Sequence, residues 1–159
     1  MNNIKCENIN SEILLNLDNW LDNDKGDIEK YAMFDYSFTT YEHSLKVDVI
    51  EGETYVTKAF YIDDILMAYI AICLYKENDN NCAGINPIVV NPNYVGKGYG
   101  KMIIEYIKIH FEEIYQIKID YLYALVDLNN KRSAQLFEAC GFKKDGKAEA
   151  NFQNYKYSF

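Results

Sequence analysis

Apolar positions recur every three to four residues in some stretches of the chain and run or alternate with a β-like rhythm in others. Ile13, Leu14, Leu17, Trp20 and Leu21 fall on one face of a helix predicted over residues 11–22, with Ser11 near its start. A second short helix is predicted over 27–35, carrying Ile28, Tyr31 and Ala32. Residues 4–9 suit a short edge strand, and 56–62 and 65–75 read as strands joined at Asp63-Asp64 into a hairpin. Residues 76–83 read as a polar turn and 85–90 as a strand. The spacing then predicts a helix over 98–115 and a strand over 118–127 that is buried along much of its length. A helix over 130–140 is stopped by Gly141, a favourable C-terminal cap, and 141–144 and 152–159 read as closing strands. There is no repeat and no low-complexity linker. At 159 residues and 49% hydrophobic content, one domain over 1–159 can bury a sizeable core.

The junction between the strand at 85–90 and the helix that follows is the richest in chemistry. It reads Ile88-Val89-Val90-Asn91-Pro92-Asn93-Tyr94-Val95-Gly96-Lys97-Gly98-Tyr99-Gly100, then Lys101 and an amphipathic run. Glycines let backbone amides approach a ligand without a Cβ in the way. The helix start adds unpaired N–H groups and the positive end of its dipole. Together they form an anion site suited to phosphate or pyrophosphate. A dinucleotide fold would require G-x-G-x-x-G after a first strand, and this spacing differs and comes late in the chain. A P-loop would require Gly-Lys-Ser/Thr, which is absent. Glycine turns with a purely structural role remain open on the loop alone.

Charge narrows the partners. The formal net charge is −8. Residues 1–80 carry 16 acids and 6 lysines, and residues 81–159 carry 10 basic residues and 8 acids. An acidic chain is a poor nucleic-acid binder. The asymmetry suits a C-terminal half that holds an anion and an N-terminal half that attracts a cation, or else a solvated acidic surface. Cys6, Cys73, Cys82 and Cys140 are scattered, without metal-ligand spacing, which points to a reduced cytoplasmic protein with no metal and no structural zinc. No membrane partner is expected, since no apolar run reaches spanning length and the start of the chain does not read as a signal peptide.

Two motifs together resemble the GNAT (Gcn5-related) N-acetyltransferases, which use acetyl-CoA. The first is Val95-Gly96-Lys97-Gly98-Tyr99-Gly100, which is similar to the family's Gln/Arg-x-x-Gly-x-Gly/Ala after a strand. The second is Asn130-Lys131-Arg132-Ser133-Ala134-Gln135-Leu136-Phe137-Glu138-Ala139-Cys140-Gly141-Phe142, an Asn that opens a helix ending in Gly-Phe. The resemblance is strongest over residues 55–145. It implies an α/β (α+β) GNAT fold: a mixed, mostly antiparallel sheet of six to seven strands flanked by helices. A V-shaped splay would part the fourth and fifth strands. It implies an enzyme that transfers the acetyl group of acetyl-CoA to a primary amine of a small molecule or peptide, with homodimers common among such proteins.

By the same resemblance Ile88, Val89 and Val90 would pair with the pantetheine arm as an added strand. The amides from Val95 to Gly100 would cradle the pyrophosphate, Lys97 or Lys101 would add charge, and Asn130, Ser133 and Phe137 would contribute from the second motif. A backbone N–H near Val90 would polarise the thioester carbonyl. Pro87 is tolerated where a strand leaves its neighbour or bulges.

Three positions depart from the family pattern. Val95 stands where it has Gln or Arg, Asn86 where many members keep a glutamate, and Phe137 where many have a proton-donating tyrosine. Tyr94, Tyr99, Tyr155 and Tyr157 are the candidate replacement acids. Asp127, Glu51 and His43 are the candidate bases, Asp127 having helix capping as its competing role. Cys140 suits packing better than nucleophilic work. These departures favour an alternative reading, a non-catalytic acyl-CoA-binding or regulatory module.

Overall fold

The computed structural model describes residues 3–23, 27–28, 30–31, 48–50 and 52–159. In chain order its strands are β1 (Ile4–Asn8), β2 (Asp48–Ile50), β3 (Glu53–Ile62), β4 (Ile65–Glu77), β5 (Asn80–Val90), β6 (Tyr121–Asp127), β7 (Lys143–Lys144) and β8 (Phe152–Ser158). Helix α1 (Ser11–Asn23) follows β1, α2 (Tyr99–Tyr115) joins β5 to β6, and α3 (Lys131–Ala139) precedes β7. The strands form one sheet in the order β1-β3-β4-β5-β6-β8-β7, with β2 paired to the far end of β3. Every pair is antiparallel except β5 with β6, the pair that needs a crossover helix between its strands. The expected mixed sheet is therefore present, with eight strands rather than six or seven.

One difference comes from turn chemistry. The stretch 76–83 is not a turn throughout: β4 runs to Glu77 and β5 starts at Asn80, leaving Asn78 and Asp79 as a two-residue hairpin. Their φ values of 47° and 65° match the primed turn that twisted strands prefer, as do 49° and 64° at Asp63 and Asp64. The three-residue β2 is too short to show a period. Of the helix expected over 27–35, Asp27, Ile28, Lys30 and Tyr31 lie in helical turns and the remainder falls outside the described residues.

Alternation along the strands separates two cores. One sheet face, with Phe60, Ile70, Ile72, Ile85, Leu122 and Ala124, packs under α2 and α3 through residues such as Ile103, Ile107 and Phe137. The opposite face, with Ala59, Tyr69, Ala71 and Val89, lies under α1 through Ile13, Leu14, Leu17 and Trp20. Leu14 and Leu17 are 1% and 0% exposed, a burial worth about 1.5–3 kcal/mol per side chain. Asn10 starts α1, its Oδ1 accepting from the Ile13 N–H at 2.9 Å. At the other end of the fold Lys108 ties α2 to α3 and β8. Its Nζ donates to Glu105 and to the Cys140 carbonyl at 2.9 and 2.8 Å and sits 4.1 Å from the Tyr157 ring centre.

The central break in the sheet follows from register. Residues Cys82–Ile85 of β5 pair with Tyr121–Ala124 of β6, and there the ladder stops. β5 continues to Val90 against β4 alone, while β6 continues to Asp127 against β8 alone. At the parting point Ile72 pairs with Ile85 and Ile70 with Ile88, so Ala71 opposes two residues, Asn86 and Pro87. Pro87 thus sits at a bulge and also just beyond the parting of the strands.

Candidate active site

A cleft of about 500 Å³ opens where the strands part. Its floor is Ile88, Val89 and Val90, and its rim is Tyr94, Val95, Gly96, Gly98 and Tyr99. Gly100, Lys101, Asn130 and Ser133 also line it. The structure therefore brings most residues of the two motifs around one cavity.

The loop is held open by its own backbone chemistry. Asn91, 8% exposed, anchors it to β4: its N–H donates to the Met67 carbonyl at 2.8 Å and its Nδ2 to the Leu66 carbonyl at 3.1 Å. The Asn91 Oδ1 accepts from the Asn93 N–H at 3.1 Å, which shapes the 3-10 turn over Pro92–Tyr94. Gly96 and Gly98 have φ of 81° and 87°, a region other residues enter at a cost. A Cβ on either would meet nothing within 4 Å, so both border open space. Among the described residues, the N–H groups of Gly96, Gly98, Tyr99, Gly100 and Lys101 donate to no other backbone group, and the α2 ladder begins with Met102 N–H to Gly98. Gly100 is needed for a different reason: a Cβ there would lie 3.3 Å from both Leu136 and Val90, where α2, α3 and β5 converge.

The strand floor also presents unpaired donors. Asn91 N–H donates to Met67 across the Val90–Ala68 pair. By the alternation of an antiparallel ladder, the N–H groups of Ile88 and Val90 then point away from β4, into the gap left by β6. Asn130 caps α3, its Oδ1 accepting from the Ser133 N–H at 3.1 Å, while no partner of its Nδ2 appears among the described residues. This array of amides, an extended strand edge and one side-chain amide fits a coenzyme A molecule: the loop and helix start match the diphosphate, and the strand edge matches the pantetheine arm.

Other residues named from the sequence lie elsewhere. Lys97 does not line the cleft; its Nζ returns to the Asn93 carbonyl at 3.2 Å and over the Tyr94 ring. Phe137 is 3% exposed and edge-on to Phe142 in the core, because one step along α3 turns it away from the cleft-lining Leu136. Asp127 borders a smaller cavity on the other side of α3. It does not cap α3, a position Asn130 takes. It closes the preceding turn, accepting from the Asn129 N–H at 2.7 Å. Tyr155 faces Glu138 there, and Tyr157 packs on Phe142, whereas Tyr94 and Tyr99 meet edge to face at the cleft with ring centres 5.7 Å apart. Glu51 and His43 lie outside the described residues.

Asp27, Tyr31 and Arg132 are cleft residues that the sequence did not single out. Arg132 Nη1 meets Asp27 Oδ2 at 2.7 Å, a contact between residues 105 positions apart that no local pattern reveals. With both side chains more than half exposed, this pair adds little stability.

Burial pushes the thiols of Cys6, Cys73 and Cys140 up to about 11. At pH 8 roughly one thiol in a thousand is then thiolate, the reactive form. Alkylation by iodoacetamide at pH 8 should therefore be slow at all three and leave activity intact, and it should accelerate about tenfold per pH unit. Rapid inactivation that maps to Cys140 would contradict its packing role.

Comparison with known proteins agrees with this geometry. The acetyltransferase (GNAT) family pattern matches residues 14–142. The spermine/spermidine N(1)-acetyltransferase of Bacillus subtilis (strain 168) is 27% identical over 119 residues, covering 70% of this chain and 77% of that protein. The spermidine N-acetyltransferase of Vibrio cholerae, solved with CoA and spermine, superposes with a TM-score of 0.67 at 15% identity, covering 98% of this chain and 95% of that one. The aminoglycoside N(6')acetyltransferase of Legionella pneumophila gives 0.73 at 14% identity, covering 98% and 91%. The two solved structures share the fold, and the family pattern spans most of the sequence. The chain belongs to the acetyltransferase (GNAT) family.

Proposed function

We propose that this chain transfers the acetyl group of acetyl-CoA directly to a primary amine of a small cationic molecule, with polyamines as the first class to test. The observation that carries the reading is two groups of unpaired backbone donors, at Ile88 and Val90 on the strand edge and at Gly96 and Gly98–Lys101 around the start of α2, beside strands that part. The names of the curated relatives and the acidic N-terminal half both support a polyamine.

When bound, acetyl-CoA supplies an acyl group activated as a thioester. In the transfer a C–N bond forms as the C–S bond breaks; the amine loses a proton and the departing sulfur gains one. The amides of Gly96 and Gly98–Lys101 would hold the diphosphate, and the Asn130 Nδ2 and Val90 N–H would hold the arm. The thioester lies at the far end of that arm, so Ile88, which is farther from the loop than Val90, is better placed to polarise the carbonyl through its N–H. Tyr31, Tyr94 and Tyr99 are the phenols the cleft offers as proton donors to sulfur. A thiol of pKa about 8.5 leaves readily enough that such help is modest. A lysine-like amine must first lose its proton, which at pH 7 costs about 4.6 kcal/mol.

Release of free CoA from acetyl-CoA, measured across spermidine, spermine, an aminoglycoside and an α-amino peptide, tests the reading. Turnover should be highest with the linear polyamines and should rise with pH from 7 to 9. Tight acetyl-CoA binding without turnover on any amine would instead make the chain an acyl-CoA-binding module.

A further inference from the structure

The parted strands open onto both faces of the sheet, and the face away from α2 and α3 carries a row of tyrosines beside the opening. Ala83, Ile85, Leu122 and Ala124 point into the core under the helices, so Gly84 and Tyr123 between them point the other way. The Gly84–Tyr123 pair lies one step before the last rung of the β5–β6 ladder. Gly84 leaves a depression there: a Cβ would have only Tyr75 Cε1 at 3.9 Å and the Cys73 carbonyl at 4.0 Å for neighbours. Around the depression the Tyr75 and Tyr123 rings stand 6.4 Å apart, and Tyr121 and Tyr123 stand 6.2 Å apart.

One cation already uses these rings. Lys156, opposite Tyr123 in the ladder, places its Nζ 3.8 Å from the Tyr121 ring centre and 5.5 Å from that of Tyr123. That is the geometry in which aromatic faces attract an ammonium group. Burial raises the pKa of Tyr75 and Tyr123, which keeps those two phenols neutral.

We propose that this tyrosine-lined depression is the acceptor subsite, and that it takes a linear polyamine. One amine would reach the thioester at the Ile88 end of the gap, and the methylene chain and a distal ammonium would lie over Gly84, Tyr75 and Tyr123. Lys156 is then an internal competitor for the ring faces, and it sets how tightly a second cation is held. The proposal rests on the acetyl-transfer reading above and deepens it by assigning the residues that read the acceptor.

Calorimetric titration of spermidine into the CoA-saturated protein tests it. Gly84→Val fills the depression with a residue that suits a strand, and Tyr75→Leu removes a ring. Each should weaken spermidine binding about tenfold while leaving CoA affinity within about threefold. Lys156→Met should tighten spermidine several-fold by freeing two ring faces. Unchanged spermidine affinity in both Gly84→Val and Tyr75→Leu, or no spermidine binding by a protein that still binds CoA, would overturn the subsite. Failure of the acetyl-transfer reading would appear differently, as binding of both acetyl-CoA and spermidine by the unaltered chain with no release of free CoA.

Discussion

Gly98→Glu should weaken acetyl-CoA binding by at least about 100-fold in isothermal titration while leaving the protein folded. Gly98 precedes the first turn of α2 at φ 87°, and a side chain there would project into open cleft. A carboxylate about 5 Å from the diphosphate, at an effective dielectric constant of about 20, opposes it by roughly 3 kcal/mol per charge pair. Every 1.4 kcal/mol is about a tenfold loss of affinity, so one such pair accounts for the expected effect. The left-handed backbone adds a strain of about 1–2 kcal/mol for any other residue, which lowers the melting temperature without unfolding the domain. Gly98→Ala carries the strain without the charge and serves as the control. Equal acetyl-CoA affinity in the two variants would mean that the diphosphate is held elsewhere.

Replacing the amide N–H of Ile88 by an ester oxygen, through incorporation of the α-hydroxy acid, should lower kcat by about 10²–10³. That range, about 2.7–4 kcal/mol, is typical for removal of one donor to a developing oxyanion. This N–H faces away from β4, so the ladder should survive the exchange. The same replacement at Val90 should instead raise the dissociation constant for acetyl-CoA and leave kcat nearly unchanged. If Val90 shows the larger loss of kcat, the carbonyl sits one donor closer to the loop.

Much of the architecture was legible because it rests on local rules. The helical periods of α1 and α2, the Asp63-Asp64 hairpin and the capped helix from Asn130 to Gly141 all follow from spacing and turn chemistry. The loop glycines and the second motif named most of the cleft for the same reason. What stayed hidden depends on which way a residue faces after the strands part. Asp127 ends β6 within a few residues of the motif, yet alternation and strand twist carry it to the opposite side of α3. Phe137 and Leu136 are neighbours in sequence, and a turn of about 100° per residue sends one to the core and the other to the cleft. The tyrosines of β6 gave no signal either: Tyr121 and Tyr123 alternate with Leu122 and Ala124 in a segment that reads as uniformly apolar. Their partners come from other strands, Tyr75 from 46 or more positions before them and Lys156 from 33 or more after them, by the pairing of β4 through β8.

Among the described residues, only the four rungs from Cys82 to Ile85 stitch the five N-terminal strands to the three C-terminal ones within the sheet. A molecule lodged in the notch touches both halves and acts as a clasp across a short seam at the centre of the sheet. Mass action makes that clasp worth about 2.7 kcal/mol when the coenzyme is at 100 times its dissociation constant. The lifetime of the chain against proteolysis would then follow the metabolic supply of coenzyme, so starvation could thin its abundance before any change in its synthesis.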